Sequence, residues 1–178
     1  MAGNQKDYMK ENLKASCLLI NKTQFLLGAI GLVVGFLIYL VYRPPDQTYF
    51  IYNSPINMTL SNFLPKLFNP AGNTLPAFIH AFSFILLTAA FIFPQKKSYL
   101  IICLIWLLID CAFELGQKFS TYSSKMIPDW FAGIPFLKNT ENYFYKGTFD
   151  VFDLGGIILG TAIAYFVLLA TSKRAELS

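Results

Sequence analysis

Six side chains of this sequence could do chemistry: His80, Asp110, Glu114, Gln117, Asp150 and Asp153. All lie inside or at the mouths of strongly apolar stretches. A charge at the middle of a bilayer costs about 2.5–3.5 kcal/mol on insertion scales and less near the ends, so such groups turn toward a bundle interior or a wet cavity. Asp110, Glu114 and Gln117 follow the spacing i, i+4, i+7, which is one stripe of a helix. Asp150 and Asp153 stand three apart, where a fourth apolar helix begins and its first N–H groups need acceptors.

Three chemistries fit this set. Carboxylates with one His can bind a divalent metal, and His80, Glu114 and Asp153 are the candidate ligands. Crowded carboxylates and an imidazole can work as a general acid and base. The same groups can also form a hydrogen-bonded plug that fixes helix packing. Each residue also has a plainer role: Asp150 and Asp153 as caps, Glu114 as an interfacial side chain, Asp110 and His80 as structural hydrogen-bonding groups. No nucleophile motif or phosphate loop is present, and a single His excludes a bis-His haem. Arg43 is the one Arg on the same side as the cluster, so a phosphate clamp of arginines is absent.

The elements that position these residues follow from composition. Hydrophobic residues make up 55% of the 178 and charged ones 13%, against about 25% charged in a soluble domain. Four apolar runs, at about 25–42, 75–93, 99–116 and 154–171, are each 18 or 19 residues long, enough to cross about 30 Å of hydrocarbon as a helix. The expected fold is therefore all-α: a polytopic membrane protein forming a single membrane domain over 1–178, with four transmembrane helices. The first run ends at Arg43-Pro44-Pro45 without a small-residue cleavage site and reads as a retained helix. Leu13 to Cys17 looks like a lipoprotein site but lacks a preceding apolar region.

Orientation follows the Lys and Arg balance. Lys6, Lys10, Lys14 and Lys22 precede the first span, Lys96 and Lys97 sit in the tight second turn, and Lys173 and Arg174 follow the last span. Both termini are expected in the cytoplasm, with the connections 44–74 and 117–149 outside. The second span then enters, the third leaves and the fourth enters at the outer edge, so all six candidates converge at one end. The two outer connections are rich in aromatics and prolines, which suits either a lid over a pocket or simple anchoring at the interface. Thr59 to Phe68 has apolar residues at helical spacing. Gly156, Gly160 and Ala164 form a small-residue stripe, and Gly31 with Gly35 forms another, for close helix approach.

Net charge is +4 with scattered lysines, so nucleic acid is not an expected partner. Cys103 and Cys111 stand eight residues apart on one helix, which excludes a disulfide between them.

The ordered set of His80, Glu114-Leu-Gly-Gln117 and the run from Gly147 through Asp150 and Asp153 to Gly160 resembles the VanZ-like family of small bacterial membrane proteins, over roughly residues 75–170. The resemblance implies a cell-envelope role in the bacterial cytoplasmic (inner) membrane; the family's namesake is linked to glycopeptide (teicoplanin) resistance. The leading expectation is an outward-facing site that binds or processes an envelope lipid or lipid-linked glycan headgroup. His80, Glu114 and Asp153 would carry it, with Gln117, Asp110 and Asp150 contributing to binding and one divalent metal as a candidate cofactor. The competing expectation is a non-enzymatic subunit or scaffold docked on a larger membrane protein. Proton-coupled transport would need a polar path to the inner face, where the spans offer only Ser83, Thr88, Thr161 and Tyr165.

Overall fold

The apolar runs fold as helices that begin before their apolar limits at all four starts. In the computed structural model, residues 20–42, 71–92, 95–134 and 137–175 are described, and among them the secondary structure is helical, without strands. The elements are α1 (Lys22–Tyr42), α2 (Ala71–Ala90), α3 (Lys96–Lys118), α4 (Ser120–Lys125), a 3-10 turn (Asp129–Gly133), α5 (Thr140–Lys146) and α6 (Val151–Ala175). The leader, most of the first outer connection with the helix expected at Thr59 to Phe68, and Cys17 lie outside the described residues.

Local chemistry explains the shifted ends. Asn21 caps α1, its Oδ1 accepting the Gln24 N–H at 3.2 Å, so the helix starts at Lys22 rather than at Phe25. Asp150 caps α6 in the same way, accepting the Phe152 N–H at 2.9 Å. α2 stops at Ala90, short of Phe93. Phe91 and Ile92 bond back to the carbonyls of Thr88 and Ala89 in a tightening turn, and the Pro94 that follows in the chain disfavours helix before it. Lysines at both ends of α3 carry charge on long apolar stems, so they extend the helix without burying an ammonium.

Three helices are long and apolar enough to cross a membrane: α1, α3 and α6; α2 carries a shorter apolar stretch, Thr74–Ala90. Their outward faces are apolar and bare, with Leu26, Val33, Leu108 and Phe166 each more than half exposed. That is the surface of a multi-pass membrane protein, whose helices contact lipid instead of water.

The helices run alternately up and down. α1 lies against α2 through glycines: added Cβ atoms at Gly28 and Gly35 would meet Leu87 and Ile79, and one at Gly31 would strike the Ser83 hydroxyl. On the other flank of α2, Gly156 faces Thr74 and Gly160 sits on the Phe78 carbonyl. α2 is thus clasped between two glycine faces, where backbones approach closely. α3 packs on α6 and α2. Ile85, Leu86, Ala89, Tyr99, Ile102, Cys103, Ala164 and Leu168 close the apolar core.

The two ends of the bundle differ. At one end the fully buried Gln24 donates from Nε2 to the Tyr99 hydroxyl at 3.2 Å and to Thr171 Oγ1 at 3.0 Å. At the other end the carboxylates of α3 and α6 are buried, and α5 packs on the end of α3 through Phe144.

Candidate functional site

His80 projects from α2 toward α3. Its Nδ1 stands 3.3 Å from Asp110 Oδ1, and the two side chains are 50% and 7% exposed respectively. The imidazole lies against Phe84, with ring centroids 4.4 Å apart, and edge-on to Trp106 at 6.3 Å. Phe84 and Trp106 pack on each other at 4.9 Å. The indole N–H of Trp106 donates to Thr88 Oγ1 at 2.9 Å, which locks this aromatic wall to α2. Asp110 Oδ2 is buried and has no hydrogen-bond partner among the described residues. An imidazole that gives its Nδ1–H to a carboxylate presents Nε2 as an acceptor or base. Here half of the side chain is open.

One turn further along α3, Glu114 is 6% exposed. Its Oε1 accepts the backbone N–H of Asp150 at 3.1 Å, tying the end of α3 to the entry of α6. Asp153, in the first turn of α6, is 8% exposed, and its N–H donates to the Asp150 carbonyl at 3.1 Å. Gln117 lies against Gly147, where an added Cβ would come within 2.5 Å of its amide carbon. That glycine lets the amide sit on the backbone just after α5.

Glu114, Gln117, Asp150 and Asp153 therefore lie at one end of the bundle, with His80 and Asp110 deeper, and two cross-helix contacts tie the set: His80 to Asp110 between α2 and α3, and Glu114 to Asp150 between α3 and α6. Sequence spacing put His80 with Glu114 and Asp153 and left Asp110 in a supporting place; the contact formed by His80 is with Asp110. The reason is depth along the helix axis. Asp110 and Glu114 share a stripe, but residue 110 lies deeper and meets His80 in height, while Glu114 meets the start of α6. Asp150 combines a cap with an anchoring N–H, in line with its plainer role.

Among the described residues, no group of three or more His, Cys, Asp or Glu side chains could hold a metal ion. The His80–Asp110 pair supplies two ligands, short of the three or four protein ligands of a zinc site. The set fits proton transfer and hydrogen bonding better than metal ligation. Cys103 and Cys111 are free thiols.

The segment after α3 is folded rather than trailing. Phe113 stacks on Phe144 with centroids 5.9 Å apart and planes at 16°, and meets Tyr143 edge-on at 5.9 Å. Gly116 takes the Phe144 ring where any side chain would collide with it. Ser124 Oγ donates to the Tyr145 hydroxyl at 3.1 Å, joining α4 to α5. Sequence reading missed the buried Gln24 and its partners, because Gln24 lies just before the apolar run that marked the first span. The signal was its place one turn after Asn21, a strong capping residue. Comparison with protein-family models, with curated proteins and with solved structures found no match.

Proposed function

We propose that this chain is a VanZ-like protein of the bacterial inner membrane, crossing it four times with both termini in the cytoplasm. Its outward-facing His–carboxylate site binds or processes the headgroup of an envelope lipid or lipid-linked glycan. The family reading rests on His80, the Glu114–Gln117 motif and the Gly147–Gly160 run in the sequence. The observation that carries the site is the His80–Asp110 pair. A buried carboxylate orients a half-open imidazole beside a buried, unpartnered oxygen. In a low-dielectric setting a polar atom without a partner is costly unless something polar joins it, and a lipid headgroup entering sideways between helices can do so. His80 then accepts or donates the proton at Nε2, Asp110 orients it, and Glu114 and Asp153 hold the helix ends that frame the site.

Native mass spectrometry from mild detergent tests this. The wild type should retain a lipid or glycolipid that Asp110→Asn and His80→Ala release, with thermal unfolding shifted by less than a few degrees. Equal retention in all three forms would sink the reading. A stoichiometric protein partner in place of a lipid would favour the scaffold role.

A further inference from the structure

The pair of His80 and Asp110 lies well inside the bundle. Asp110 is eight residues from the end of α3 at Lys118, and His80 is nine residues from the start of α2 at Ala71. At 1.5 Å per residue that is about 12–14 Å along each helix. Two features at this depth bear on the charge of a ligand. Asp110 is buried, and its Oδ2 has no hydrogen-bond partner among the described residues. A carboxylate oxygen of this kind is completed by a donor, and most strongly by a cationic one. Beside the pair, Phe84 and Trp106 are partly exposed, with ring centroids 4.4 and 6.3 Å from that of His80. The π faces of Trp and Phe attract cations, more so away from water.

No basic residue of the surrounding helices competes for this place. α2 carries no Lys or Arg, α3 has none between Lys97 and Lys118, and α6 has none before Lys173. The further ionisable groups toward the outer end of α3 and α6 include two buried acids, Glu114 and Asp153. A phosphate or carboxylate brought to Asp110 would meet like charge and lose its hydration with no cation to offset the loss. An ammonium would meet a carboxylate and two aromatic rings. We infer that the His80–Asp110 site takes a lipophilic amine, a protonated nitrogen carried on an apolar body that reaches this depth between α2 and α3. The inference rests on the reading of the pair as a ligand site and adds the charge class of its ligand.

Trp106 supplies the readout. The protein has two Trp residues, so Trp130→Phe leaves Trp106 alone. This protein, in dodecyl maltoside micelles at neutral pH, is titrated with dodecylammonium or with dodecanol, which has the same chain and no charge. The Trp106 fluorescence should report an affinity for dodecylammonium at least about tenfold tighter than for dodecanol, the scale of one cation contact shielded from water. Adding Asp110→Asn should bring the two affinities within about twofold of each other. Adding Phe84→Leu, which keeps the carboxylate and removes one ring, should lower the preference severalfold. Equal affinity for the two amphiphiles without these additions, or a preference unchanged in both variants, would overturn the inference. If lipid is released by His80→Ala and Asp110→Asn in native mass spectrometry but the two amphiphiles bind equally, the site stands and the amine assignment fails. If neither measurement depends on Asp110, both fail.

Discussion

At the scale of single residues, the carboxylates have unequal tasks. Glu114 accepts the Asp150 N–H and so closes the junction of α3 with α6. Replacing it by Gln keeps an acceptor in place, whereas Ala leaves that N–H without one. Glu114→Ala should therefore cost about 1–3 kcal/mol, the penalty of a buried donor left unsatisfied, and Glu114→Gln much less. Denaturant unfolding in detergent, followed by circular dichroism, checks the order. If the two variants were equally stable, the bond would not be holding the junction. Asp110 differs: its partner is a half-open imidazole, and its other oxygen has no hydrogen-bond partner among the described residues. Its replacement by Asn should fall on ligand retention more than on stability.

At the scale of elements, the glycines of α6 separate into two kinds. Gly160 sits on the Phe78 carbonyl of α2, while a Cβ at Gly155 would meet nothing within 4 Å. A backbone cannot rotate aside as a flexible side chain can, so Gly160→Ala forces α2 and α6 apart. Overpacking of this sort costs about 1–3 kcal/mol, and Gly155→Ala should stay near wild type. Thermal unfolding of the two variants side by side tests the clasp around α2. A Gly160→Ala protein as stable as Gly155→Ala would show that the helices do not depend on this approach. The small-residue stripe was visible in the sequence as Gly156, Gly160 and Ala164, and the glycines among them serve the close approach for which such stripes are suited. The segment after α3 was less legible. Its aromatics marked an interfacial region, but nothing in their spacing foretold that Phe144 would settle on Gly116, because that contact joins two elements with no shared period.

At the scale of the whole molecule, the bundle is pinned by polar contacts at both ends and by apolar packing between them. At the end opposite the carboxylates, Gln24 reaches from α1 to Tyr99 on α3 and Thr171 on α6. Hydrogen bonds between membrane helices contribute about 0.6 kcal/mol each on average, so Gln24→Leu should destabilise by roughly 1 kcal/mol in total. Thr171 keeps its own bond to the Val167 carbonyl in that variant, at 2.7 Å in the native protein. Unfolding in mild detergent measures the loss, and a Gln24→Leu protein more stable than the wild type would count against this pin. The sequence by itself determined the helical class, the approximate helix positions and the list of six polar residues. Hydrocarbon requires every backbone group to be satisfied within a helix, so apolar length and composition are sufficient evidence for those features. It also placed Glu114, Gln117, Asp150 and Asp153 near one end, since alternating helix direction converts chain position into depth, while His80 and Asp110 lie deeper than expected for an end. Only the tertiary structure decided the partners: His80 with Asp110, Glu114 with the Asp150 backbone, Gln24 with Tyr99 and Thr171. Those choices depend on the rotation and closeness of neighbouring helices. Rotation is set by which glycines let which backbones touch, and that is a property of pairs of helices, not of any one run of residues.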